Sequence, residues 1–158
     1  MQKTIRLTVN GKAHSITTDP ETPLLYVLRN NLQLNGPKYG CGMSQCGSCM
    51  VLLDGKAQTS CIMPCAAAAT HQVTTLEGLA KAGQLHPVQQ AFIEEQAAQC
   101  GYCVNGMILC ASELLAANKQ PTDLQIREAL QRVLCRCGTH TRFISAIKKV
   151  AAHVNPAQ

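Results

Sequence analysis

Apolar and polar residues alternate over Ile5, Leu7 and Val9, the period of a strand with one buried face. Asn10-Gly11 follows, a pair suited to a two-residue hairpin turn, and His14 to Thr18 reads as the returning strand. The period then changes. Leu24, Leu25, Leu28 and Leu32 fit one helix face, behind Thr22 as N-cap and Pro23 at the first helical position. Beyond a glycine-rich stretch, Met50 to Leu53 is an apolar run closed by Asp54-Gly55, a second hairpin signal. Val73-Thr74-Thr75 reads as a last short strand.

From there the pattern is helical. His86-Pro87 opens a helix predicted to reach Ala98, with Val88, Ala91, Phe92 and Ala98 inward. The Cys100-Gly101-Tyr102-Cys103 turn interrupts it, and Gly106 leads into a second helix through Ala117. Thr122-x-x-Gln125 is a capping box for a third, carrying Ile126, Leu130 and Val133. A fourth runs from about Arg142 to His153, with Ile144, Ile147 and Val150 as its apolar edge. This order predicts an α+β chain. A β-grasp domain spans residues 1–78, a four-helix bundle spans 84–158, and the join lies near Glu77 to Leu85.

Composition adds a constraint. The 158 residues are 46% apolar but include no Trp, two Phe and three Tyr, so two small cores gain from added cross-links. Ten cysteines are available for that. The N-terminus, Met1-Gln2-Lys3-Thr4-Ile5-Arg6, has no apolar signal region, and no apolar run approaches membrane-spanning length. The chain is therefore expected to be cytoplasmic, any link to a membrane-bound or periplasm-facing complex being made by partners. In that setting cysteines bind metal more often than they form disulfides.

Eight of the ten fall into two quartets. Cys41-x4-Cys46-x2-Cys49, closed by Cys61, has the plant-type [2Fe–2S] ferredoxin spacing and sits in a loop rich in glycine. Glycines there let backbone N–H groups turn toward an anionic sulfur cage. Cys100-x2-Cys103 and Cys135-x-Cys137 form the second quartet, whose pairs fall at the turns between helices and so at one end of the bundle. Two such centres in a small chain point to a relay of single electrons.

Zinc is the main rival, since Cys₄ sites are common; it fits the second quartet better than the first. A Rieske centre needs two His ligands, and no C-x-H occurs. Cys110 reads as a small core residue, and Cys65 as a structural thiol in place of an alternative ligand. No nucleotide-binding glycine motif and no nucleophile–base arrangement is present. The formal charge of +5 is scattered, apart from Lys148-Lys149. Each oxidised cluster with four thiolates carries −2, so a loaded chain is near +1, about neutral, and nucleic acid is excluded as a partner.

Gly40-Cys-Gly-Met-Ser-Gln-Cys-Gly-Ser-Cys49, Thr75-Leu-Glu-Gly-Leu79, Gln99-Cys-Gly-Tyr-Cys103 and Leu134-Cys-Arg-Cys137 follow one another in that order. In this the chain resembles the small iron–sulfur subunits of the molybdenum hydroxylases, the xanthine oxidase family. Asn35-Gly-Pro-Lys-Tyr-Gly40, His86-Pro-Val-Gln-Gln-Ala-Phe92 and Cys135-Arg-Cys-Gly-Thr-His140 resemble the branch of nicotinate dehydrogenase and isoquinoline 1-oxidoreductase small subunits. Two departures stand out: Val104-Asn105-Gly106 replaces the usual Thr-Pro-Gly, and Gly138-Thr-His140 replaces Thr-Gly-Tyr.

The resemblance implies two [2Fe–2S] clusters in this chain and a molybdopterin cofactor on a large partner subunit, where the hydroxylation occurs. It places the helical cluster beside the molybdopterin, with Gln99 and Cys137 at positions that approach the pterin. Electrons would pass one at a time through Cys100, Cys103, Cys135 and Cys137, then through Cys41, Cys46, Cys49 and Cys61, to a cytochrome c or flavin module. The substrate implied is nicotinate or a related N-heteroaromatic. An aldehyde dehydrogenase with the same relay and a free ferredoxin-type shuttle are the alternatives.

Overall fold

The structure is a computed structural model, and it describes residues 1–153. Its elements are β1 (Lys3–Val9), β2 (Lys12–Thr18), α1 (Leu24–Tyr26), β3 (Met50–Leu53), β4 (Lys56–Thr59), α2 (Cys65–Ala68) and β5 (Gln72–Thr74). Then come α3 (Pro87–Glu94), α4 (Val104–Ala117), α5 (Asp123–Leu130) and α6 (His140–His153). The strands form one mixed sheet in the order β2-β1-β5-β3-β4. Only β1 and β5 run parallel. Both expected hairpins form, with Asn10, Gly11, Asp54 and Gly55 all at positive φ. The α+β class and the order of strands before helices are as the pattern predicted.

β3 explains how the halves join. Its four residues, Met-Val-Leu-Leu, are all buried, so the sheet is covered on both faces here. Val51 and Leu53 pack with Leu7, Val9, Leu24 and Leu28 on one side. Met50 and Leu52 point the other way, into a core with Phe92, Met107, Leu109 and Phe143 from the helices. One apolar core thus crosses from the sheet into the bundle.

Three helix ends differ from expectation. Thr22 is not the cap of α1: its hydroxyl accepts from Thr18 and its carbonyl from the Cys65 amide, so the helix starts at Leu24 behind Pro23. The following turn widens into a π-helix at Val27–Asn31, where the Leu32 amide reaches back five residues to the Val27 carbonyl. Helix α3 ends at Glu94, four residues before Ala98. Gln96 takes φ 52°, and the Ala97 amide caps the Phe92 carbonyl, so Ala97 is the buried residue and Ala98 is exposed. Helix α6 begins at His140, ahead of the expected Arg142. The capping box of Thr122 and Gln125 forms as read.

Candidate functional site

The loop from Gly40 to Cys49 wraps its amides around sulfur. Cys41 Sγ accepts from the N–H groups of Met43 (3.4 Å), Gln45 (3.2 Å) and Cys46 (3.3 Å). The Cys41 amide donates in turn to Cys46 Sγ at 3.3 Å, and the Ser44 amide to Cys61 Sγ at 3.4 Å. Five backbone donors aimed at three thiols form a nest for negative charge. Gly40 is required by proximity: a Cβ there would lie 2.6 Å from Cys46 Sγ. The Met43 and Gln45 amides hold the Cys41 thiol down at about 7. Burial instead pushes Cys49 up to about 11. Cys49 and Cys61 are buried against Leu25, whereas Cys41 and Cys46 are half-buried.

The second quartet assembles at one end of the helices. Cys100 and Cys103 lie in the turn before α4, and Cys135 and Cys137 in the turn before α6. Cys137 Sγ lies 3.5 Å from Cys100 Sγ, and Cys135 Sγ lies 3.7 Å from the Thr139 hydroxyl. Burial would raise Cys135, but the Thr139 amide and hydroxyl outweigh it and hold the thiol at about 7. The Tyr102 amide lowers Cys100, while burial drives Cys103 up to about 12. Gln99 is exposed beside this quartet.

No group of three or more His, Cys, Asp or Glu among the described residues converges on a single ion. The fit to an iron–sulfur group rests on the donors themselves: all-sulfur quartets, with amides turned toward the sulfurs of the first. Cys65 and Cys110 stay apart, buried in the sheet core and the helical core respectively.

A seam links the quartets, and the sequence did not announce it. The Leu134 amide, one residue before Cys135, donates to the Cys46 carbonyl at 3.0 Å. Gly47 allows that approach with φ 71°, since any Cβ would press on the Arg132 carbonyl and Val133. Tyr102 donates its hydroxyl to the Tyr39 carbonyl. Arg132 reaches the Ala57 carbonyl and pairs with Glu113, which also accepts the Ala57 amide. Glu77 explains the Thr75-Leu-Glu-Gly-Leu79 motif. Its carboxylate accepts from the Gly36 amide and the Thr75 hydroxyl, each at 2.6 Å, and so anchors the start of the cysteine loop.

Known proteins resemble this chain over both of its halves. Residues 7–80 match the 2Fe-2S iron-sulfur cluster binding domain, and residues 75–148 match the [2Fe-2S] binding domain. The chain is 56% identical over 151 residues to a nicotinate dehydrogenase small-chain relative from Pseudomonas putida, covering 96% of each. It is 46% identical over 148 residues to the alpha chain of isoquinoline 1-oxidoreductase from Brevundimonas diminuta, covering 93% of this chain and 97% of that one. Among solved structures, one chain of quinoline 2-oxidoreductase from Pseudomonas putida superposes with a TM-score of 0.91 at 35% identity, over 96% of this chain and 94% of that one.

Proposed function

Because the chain belongs to the two-cluster iron–sulfur small subunits of the molybdenum hydroxylases, we propose that it serves an enzyme oxidising nicotinate or a related N-heteroaromatic. It is the electron-transfer subunit of such an oxidoreductase and carries no catalytic residue. The observation behind the substrate class is the 56% identity to the Pseudomonas putida nicotinate dehydrogenase chain across 96% of both.

In this proposal Cys41, Cys46, Cys49 and Cys61 hold one [2Fe–2S] group within residues 1–78. Cys100, Cys103, Cys135 and Cys137 hold the other within residues 84–158. Each group, when bound, supplies a one-electron carrier. The chain's own residues then set direction and speed. The amides of Met43, Gln45 and Cys46 stabilise charge on the Cys41 sulfur and so favour the reduced state of the first site. The Cys46–Leu134 hydrogen bond keeps the two sites at a fixed separation.

Gln99 and the segment at Cys137 face the molybdopterin-binding large subunit, so electrons enter at the helical quartet. They leave through the loop of Cys41 to Cys49, toward a cytochrome c or flavin module. None of the described helices is long and apolar enough to cross a membrane.

The test uses the native complex, tagged on this chain and kept free of oxygen. Nicotinate is added and visible cluster absorbance followed. Bleaching by nicotinate supports the assignment; bleaching by an aldehyde alone moves the chain to an aldehyde dehydrogenase. Response to dithionite alone overturns both substrate classes.

A further inference from the structure

Asn105 stands in the first turn of α4, two residues after Cys103, and is 1% exposed. Its amide nitrogen donates to the Ser48 carbonyl at 3.0 Å and to the Met50 carbonyl at 2.9 Å. Ser48 and Met50 are the two neighbours of Cys49. One side chain from the helical half therefore grips the backbone on both sides of a cysteine in the other half. Because both partners are carbonyl oxygens, the NH₂ group must face them, which fixes the orientation of the amide. Its oxygen is left buried with no hydrogen-bond partner among the described residues.

The surroundings are built for this grip. The Ser48 carbonyl takes a second donor, the Lys38 amide, at 3.0 Å. Gly106, next along α4, lies so close to the Gly47 carbonyl and to Val133 that no Cβ fits. A polar residue that leaves one of its own atoms unpaired in an apolar helix start is costly to keep. Asn105 is also where the chain departs from Thr-Pro-Gly, and a proline offers no side-chain donor.

Resting on the assignment of the two quartets to [2Fe–2S] clusters, we propose that Asn105 is a positioning residue for electron transfer. It fixes the Cys49 backbone relative to Cys103, and thereby the geometry of the first cluster and its separation from the second. Its removal frees two carbonyl dipoles beside Cys49 and loosens the sulfur's surroundings, to which cluster potentials respond.

The test is Asn105→Ala in the complete complex, with iron and labile sulfide measured first. Absence of iron and sulfide from the wild-type chain sinks the cluster assignment itself. With both clusters loaded, the EPR signal of the Cys41–Cys61 centre is expected to shift or broaden, while that of the helical centre keeps its g-values. The equilibrium share of one electron between the centres is expected to change about threefold or more. Asn105→Gln, which restores an amide donor, is expected to recover part of the change. If Asn105→Ala does not load iron, Asn105→Ser, with one donor, carries the same test. A loaded variant with an unaltered signal and unaltered electron distribution overturns the role of Asn105 and leaves the cluster assignment standing.

Discussion

The Cys46 carbonyl accepts the Leu134 amide at 3.0 Å, and Leu134 directly precedes Cys135. A cysteine of one quartet is thus joined to a cysteine of the other through one hydrogen bond and a short run of backbone. The contact exists because Gly47 turns with φ 71° beneath the Arg132 carbonyl.

Gly47→Ala tests that seam. The added methyl is strained by the left-handed backbone and also presses on Arg132 and Val133. The expected loss is about 1–3 kcal/mol of stability. Slower reduction of the Cys41 centre after rapid mixing with substrate should accompany it. Urea unfolding and stopped-flow absorbance measure the two, and a variant matching wild type in both removes the seam's importance.

Leu52→Ala probes the core shared by sheet and helices. Leu52 is 7% exposed and packs with Phe92, Met107 and Leu109 from the helices, although it belongs to β3. Truncation should cost about 2–4 kcal/mol. Because β3 is buried on both faces, Val51→Ala, facing the sheet core, should lower the same single transition. Far-UV dichroism and cysteine accessibility followed against denaturant check this. Two separated transitions would show that the halves fold independently.

Much of the fold was legible because its signals are local. Asn10-Gly11 and Asp54-Gly55 specify turns by backbone conformation alone, and Thr122 and Gln125 cap α5 from three residues apart. Cysteine spacing is local within Cys41 to Cys49 in the same way. What escaped depends on residues brought together from far along the chain. Ser48 and Met50 meet Asn105 only after β3 has packed on α4, and nothing near Asn105 encodes that register. Thr22 has the chemistry of an N-cap, but Thr18 and Cys65 claim its side chain and carbonyl in the folded state. One overlooked clue was in plain view. Met50 to Leu53 lacks alternation, the mark of a strand covered on both faces.

Glu77→Gln tests the anchor of the cysteine loop. Burial would raise the Glu77 carboxyl, but the Thr75 hydroxyl and then backbone amides, Gly36 among them, outweigh it and lower its pKa below the ordinary 4.5. A depressed carboxylate adds stability above its unfolded pKa and loses it as pH falls through the lower folded value. The residue is exposed overall, so screening holds the expected loss to about 1 kcal/mol. Iron release to a chelator at neutral pH should be faster in the variant, and its acid sensitivity below pH 4.5 reduced. Identical release rates would show that Glu77 does not hold the loop.

His86→Asn tests a pH dependence at the start of the helical half. The Val88 amide donates to His86 Nδ1 at 3.3 Å, a bond that requires that nitrogen unprotonated. Burial first, then the charges of Lys81 and Lys119, lower the His86 pKa from 6.5. A base with a depressed folded pKa contributes its stability above the unfolded value, and that stability drains away as pH falls through the folded one. Amide exchange over α3 should therefore accelerate as pH drops below 6.5, beyond the intrinsic chemical trend. Asparagine keeps an N-cap acceptor and does not titrate, so the variant should lose that acceleration while its exchange at neutral pH stays near wild type. If wild type and variant respond alike to acid, some group other than His86 governs the fraying of α3.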